Sequence, residues 1–325
     1  MSLRRLLPGL LLGFLVLLAL ILVSDLRQVS AQMLAFRWQL YPLVLLFTLF
    51  NYGLRFVKWH FYLAQIGINL DALTLRESAR LFFAGFPLAV TPGKAGEALK
   101  GYWLNQKTGI PTARGISVVL AERISDGLAV LLLSTLGVIA YPRYWLAFAF
   151  VLAALLTVIL ISQIRPLALA LLGIGEKLPI ISRFSHSLRE FYEGSFALFR
   201  PKTMLTAVSL GTVAWLGEGI GLYFILLGLG VPASWQAFSL AVFILAFSTV
   251  IGAASALPGG LGAAEASISG MLIVLLNLST ETAAAATLLI RFATLWFAVA
   301  IGLVVWAFSR DLLQLQEPTT PHANR

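Results

Sequence analysis

The chain has no cysteine, only three histidines and little charge, with Asp, Glu, Lys and Arg making up 11% of its 325 residues. Each shortage excludes something. Without cysteine there are no disulfides, thiolate metal sites or cysteine nucleophiles. His60, His186 and His322 share no metal-ligand spacing, so neither a metal nor a cofactor is expected. Soluble domains are about a quarter charged, which rules out an ordinary water-soluble enzyme. The Walker pattern, Gly-x-Ser-x-Gly and His-Glu-x-x-His are all missing.

What is present is apolar: 59% hydrophobic residues and a mean hydropathy of +0.91. A helix that crosses a bilayer takes about 20 such residues. The first run, Leu6 to Val23, follows Arg4 and Arg5 and lacks a small-x-small cleavage site, so it reads as a retained helix. Further runs cover 41–66 (with Asn51, Arg55 and Lys58), 79–104, 115–140 (with Glu122, Arg123 and Asp126) and 144–163. Beyond them lie 203–229 (with Glu218), 235–278 and 282–308 (with Arg291). Thr91-Pro92-Gly93 breaks the run at 79–104, and Leu257-Pro258-Gly259-Gly260 breaks that at 235–278. If these two are re-entrant hairpins, about six full transmembrane helices remain. The expected fold is an all-α polytopic membrane protein with a single transmembrane domain over 1–310. The amphipathic linker at 164–201 should lie on the membrane surface, and 311–325 is a short polar tail.

The net charge of +9 would suggest nucleic acid in a soluble protein, but here it sorts by side. On this topology fourteen of the 23 Lys and Arg fall on the N-terminal side: Arg4, Arg5, Arg76, Arg80, Lys107, Arg114, six in 165–202, Arg310 and Arg325. Three lie opposite, Arg27, Arg37 and Arg143, and the rest sit in spans or in the first hairpin. Basic loops stay inside, so both termini are expected in the cytoplasm and the protein in the cytoplasmic membrane. No nucleic-acid partner is expected, and anionic lipid headgroups are.

Pro-Gly-x-x-Gly occurs twice, at Pro92-Gly93-Lys94-Ala95-Gly96 and at Pro258-Gly259-Gly260-Leu261-Gly262. Each copy is followed by a glutamate, Glu97 or Glu265, and then by an arginine in the next span, Arg123 or Arg291. A unit of span, broken hairpin and span therefore repeats, at about 41–140 and 202–308, with the second copy inverted. In inverted-repeat transporters, broken helices from the two halves meet near the midplane and build the substrate site, because unwound backbone cannot face lipid. Helix N-termini offer free amides to anions. Gly93, Gly96, Gly259, Gly260 and Gly262 would let a ligand reach those amides, and Lys94 would act as an anion ligand.

Charges in the bilayer centre each cost about 2.5–3.5 kcal/mol on insertion scales, so those of the spans must face inward. Arg123 and Arg291 would grip a phosphate or carboxylate; the plainer reading is that each locks its own hairpin through Glu97 or Glu265. Arg123 and Asp126, three apart, share a helix face and could pair, whereas Glu122 points elsewhere. Arg55 and Lys58 would snorkel to the cytoplasmic side, and His60 is interfacial. Glu218, in Gly217-Glu218-Gly219-Ile220-Gly221, is either a proton carrier or a bystander in small-residue packing.

The segments Thr91-Pro92-Gly93-Lys94-Ala95-Gly96-Glu97, Ala121-Glu122-Arg123-Ile124-Ser125-Asp126, Leu257 to Glu265 and Leu289-Ile290-Arg291 resemble a flippase-like integral membrane family. That family forms the transmembrane domain of lysylphosphatidylglycerol synthases, and the likeness runs from about Arg4 to Arg310. Where its pattern often has arginine, this chain has Lys94. The resemblance implies a stand-alone member without the transferase domain, acting on membrane lipid and not as an enzyme. The leading expectation is translocation of a lipid with an anionic or zwitterionic headgroup. Its rivals are a proton- or ion-coupled carrier of a small anion and a non-transporting partner of a lipid- or glycan-modifying enzyme.

Overall fold

The computed structural model describes residues 11, 13, 15–16, 25–71, 73–140, 145–176 and 182–313; the side chains of Pro92, Gly93 and Lys94 are outside that description. The expected first helix at 6–23, Arg143 and the tail beyond Leu313 also fall largely or wholly outside it. Among the described residues the regular structure is helical, with no strand.

A short helix α1 (Leu26–Ala35), capped by Asp25, leads into α2 (Tyr41–Gln65), which opens with proline in its first turn. Missing amide hydrogens cost nothing there. The first broken hairpin is α3 (Leu75–Ala84), two 3-10 segments (Phe86–Val90 and Pro92–Ala98) and α4 (Leu99–Thr108). Then come α5 (Thr112–Ala140), α6 (Trp145–Gln163), α7 (Arg165–Glu176) and α8 (Ser185–Leu198). The second half runs through α9 (Pro201–Gly228), α10 (Trp235–Ala254), a 3-10 turn at Pro258–Gly260 and α11 (Ala263–Leu276). It ends with α12 (Thr280–Arg291), a π-helical turn (Phe292–Trp296) and α13 (Phe297–Ala307). The order long helix, broken hairpin, long helix thus occurs twice.

Five described segments are long and apolar enough to cross a bilayer: Trp38–Gln65, Pro201–Gly228, Trp235–Ala254, Pro258–Leu276 and Thr280–Ala307. Leu46, Leu146, Phe150, Leu205, Val274 and Val304 are exposed. In water that is a liability, and against lipid it is the expected outer face. The chain is therefore an all-α, multi-pass integral membrane protein. The linker helix α8 packs on α5, where Arg114 pairs with Glu190.

The outer ends of the two broken segments lie at opposite ends of the helix bundle. Arg80 and Lys107, at the outer ends of the first, meet Asp311, and Trp103 Nε1 donates to the Leu312 carbonyl. The second starts near the other end, where the Arg37 amide bonds the Gly228 carbonyl. They are unequal in depth. The ten-residue arms of the first reach about 15 Å, whereas α10, with 20 residues, reaches about 30 Å. Their tips touch, Val90 facing Gly259.

Between the halves α2 and α9 pack closely. A Cβ at Gly217 would stand 3.2 Å from the Phe50 ring, and one at Gly219 2.9 Å from Val242. Small residues let helix backbones approach in this way.

Candidate functional site

α2 carries Asn51, Arg55 and Lys58 four and three residues apart, hence on one face. Lys58 is 1% exposed and donates to Asp126 of α5, with Ser125 Oγ at 3.2 Å; the Arg55 guanidinium stands 3.7 Å from the same carboxylate. Gly211 of α9 leaves room for this group, since a Cβ there would be 3.6 Å from both Lys58 Nζ and Asp126 Oδ1. Snorkelling of Arg55 and Lys58 is therefore overturned. Asp126 of another helix holds the buried Lys58, and a paired buried cation needs no exit. The i,i+3 pairing of Arg123 with Asp126 is corrected for the same reason, because tertiary partners take both residues.

Arg123 instead lies 3.5 Å from Glu97. Arg291 Nε donates to Glu265 Oε1 at 2.6 Å, and its Nη2 to the Gly259 carbonyl at 3.0 Å. Each arginine thus grips its own hairpin, the plainer of the two sequence readings. Glu122 does point elsewhere: Lys100 Nζ bonds it at 3.1 Å, below the rings of Trp59 and Phe82 at 5.1 and 5.3 Å. His60 is half-buried and bonds Ser78 Oγ at 3.0 Å.

The glycine turns are already occupied. Gly259, Gly260 and Gly262 have φ of +62°, +67° and +86°, a region that favours glycine. A Cβ on Gly260 would stand 2.9 Å from the Gly252 Cα of α10, so two backbones cross there. The Gly262 amide donates to Glu265 Oε2 at 2.7 Å, and the Gly96 amide to Thr91 Oγ1 at 2.9 Å. In this state the chain's own acid and hydroxyl fill those two amide positions, which the sequence suggested a ligand would use. Gly93 and Lys94 belong to the part whose side chains are not described.

Where the tips meet, a cavity of about 430 Å³ opens. Arg55, Lys100, Arg123 and Arg291 line it together with Glu97, Asp126 and Glu218. The rest is mostly apolar or aromatic, with Tyr52 and Trp215 on the side of α2 and α9. The Tyr52 hydroxyl donates to the Thr294 carbonyl inside the π-helical turn, and Arg55 lies over the Trp215 ring at 5.9 Å. Sequence reasoning did not select Lys100, Arg55, Lys58, Tyr52 or Trp215 as site residues. The available signal was charge at membrane depth: Lys100 sits in a hairpin arm, and Gly85 is what clears space for its stem. Among the described residues no group of His, Asp and Glu could hold a metal.

These features define a class: a polytopic helical membrane protein in which two broken helical segments meet at a charged internal cavity. Residues 10–302 match the lysylphosphatidylglycerol synthase TM region, and the chain belongs to that family. It is 26% identical over 315 residues to a UPF0104 membrane protein of Methanothermobacter thermautotrophicus, covering 90% of each chain. It is 24% identical over 229 residues to a UPF0104 membrane protein of Methanocaldococcus jannaschii, covering 70% of this chain and 95% of that one.

Proposed function

We propose that the protein is a transporter that moves the headgroup of an anionic or zwitterionic membrane lipid between leaflets of the cytoplasmic membrane, with both termini in the cytoplasm. The observation that carries this reading is the cavity in which four cations from both halves face one another. Its volume equals a cube about 7.5 Å on a side, within the common range of about 300–1,000 Å³ for small-molecule sites. An acyl chain reaches across half of a core about 30 Å thick, so the cavity can hold a headgroup while the tails stay in lipid.

Every one of these cations has an acid beside it. An entering phosphate would take the Arg123 and Arg291 forks from Glu97 and Glu265, since guanidinium binds phosphate and carboxylate with the same two-pronged geometry. The freed Glu265 would release the Gly262 amide at the same time. The fourteen-to-three split of basic residues supports the orientation. Membrane lipid is the partner this reading needs, with a lipid-modifying enzyme as the natural supplier of an altered headgroup.

The test is mass spectrometry of the lipids that survive purification, wild type against Arg123→Ala/Arg291→Ala. Enrichment of one lipid class in the wild type, lost in a folded double variant, is the expected result. A membrane-average lipid profile in both would refute the reading.

A further inference from the structure

Three acids line the cavity, two with a cation and one without. Glu97 and Asp126 pair with Arg123 and Lys58, and behind the lining Glu122 and Glu265 pair with Lys100 and Arg291. Glu218 lines the same space, is 5% exposed, and makes no hydrogen bond or ion pair among the described residues. It stands 17 residues from the start of α9 and 10 from its end, or about 25 and 15 Å at 1.5 Å per residue. No glutamate side chain spans that distance to reach water. Nor can α9 turn it aside, because Gly217 is packed on Phe50 and Gly219 on Val242.

The groups facing Glu218 can be named helix by helix. α2 offers Tyr52 and Arg55, α5 offers Asp126, and α12 offers Arg291. α10 contributes Ser248 and Thr249, which do not titrate. The Tyr52 hydroxyl donates a hydrogen bond to the Thr294 carbonyl, and Asp126 is held by Lys58. What remains for Glu218 is the field of Arg55 and Arg291, and Arg291 is also one of the two forks that would take an entering phosphate. Two anions confined with the same cations repel one another, and a carboxylate relieves that by binding a proton.

We propose that Glu218 carries one proton with each phosphodiester headgroup. The proton comes from water, bonds to a Glu218 carboxylate oxygen as the headgroup enters, and returns to water when it leaves. No other bond forms or breaks, and a monoanionic phosphodiester plus one proton crosses as a neutral load. The inference rests on the lipid reading above, and the shared chemistry, an anionic phosphate group, also belongs to free phosphate.

The experiment is titration calorimetry of the purified full-length protein with dihexanoyl phosphatidylglycerol, and separately with inorganic phosphate. Buffers of different ionisation enthalpy then give the protons taken up per ligand bound. Expected for the wild type is uptake approaching one proton per lipid at alkaline pH, with Kd rising about tenfold per pH unit there. Glu218→Gln should bind the lipid with no uptake and no such pH dependence. Lipid binding by the wild type without uptake overturns the proton role and leaves the lipid reading standing. Phosphate bound with uptake that Glu218→Gln abolishes, while the lipid is not bound, overturns the lipid reading and keeps the role of Glu218. Binding of neither overturns both. Uptake that persists in Glu218→Gln overturns the assignment to this residue. If that variant does not fold, Glu218→Asp, which keeps the titrating group, should restore uptake, and the wild-type proton count decides regardless.

Discussion

Asp126→Asn tests the buried centre of the site most directly. The carboxylate accepts from Lys58, which is 1% exposed, and stands 3.7 Å from Arg55. Neutralising it leaves Lys58 and Arg55 facing an amide oxygen in place of a carboxylate, and Ser125 Oγ, 3.2 Å from Lys58 Nζ, is a neutral acceptor too. Removing one partner of a buried pair costs about 3–5 kcal/mol. For a chain of this size each kcal/mol moves the melting temperature by roughly 2 °C, so the expected loss in detergent is roughly 6–10 °C. Lys58→Met/Asp126→Leu should recover most of it, because removing both charges removes the burial penalty as well. Thermal unfolding followed by tryptophan fluorescence reads both variants. A loss below about 2 °C in Asp126→Asn would falsify the pairing and return Lys58 to the water interface.

Other consequences can be checked alongside. Gly260→Ala should lower the melting temperature more than Gly230→Ala. Both glycines have positive φ, but only at Gly260 would a Cβ run into another backbone. Equal losses would mean that the crossing with Gly252 is not tight. Arg291→Lys keeps the charge but loses the fork that joins Glu265 to the Gly259 carbonyl; it should fold and retain less lipid, and full retention would show that charge alone suffices. At the cytoplasmic end of the proposed topology, partial burial tends to raise the Asp311 carboxyl, but its bonds to Arg80 and the charges of Arg80 and Lys107 hold it below its ordinary 3.8. A lowered pKa stabilises fully above the unfolded value and is lost as pH falls through the folded one. Hydrogen exchange at 310–313, corrected for intrinsic rate, should therefore be flat from neutral pH down to about 4 and quicken only below. Asp311→Asn should show the quick exchange already at pH 7.

The sequence made the local features legible and the crossings between helices illegible. Pro92-Gly93 and Pro258-Gly259 announced the two turns because proline lacks the amide hydrogen that continues a helix and glycine tolerates positive φ. The Arg123–Glu97 and Arg291–Glu265 pairs could be read from the repeat, since both copies hold the same two residue types at nearly the same distance. Lys58 and Asp126 are 68 residues apart, and nothing local joins them. The pairing rule for a lone helix put Asp126 with Arg123, but helix packing brought in a cation with no other outlet. Lys100 was passed over because one lysine in a hairpin arm looks like a loop charge until Glu122 is seen opposite it. Glu218 was legible as a buried acid. Its lack of a partner was not, since that depends on every other cation being taken.

The wide turn at Phe292–Trp296 separates Arg291 from the stretch of α13 where Gly302 fits against Pro87 of the first hairpin. A turn with i→i+5 bonding holds one more residue than an α-helical turn, and one residue of an α-helix is about 100° of rotation. The turn therefore works as a gear. It sets the phase between a helix end that must aim its guanidinium at Glu265 and a helix end that must show glycine to a proline. With every residue kept, winding this stretch as plain α-helix would put the two surfaces out of step by more than a quarter of a revolution, whereas deleting Thr294 would let the turn close as an α-turn with both still seated.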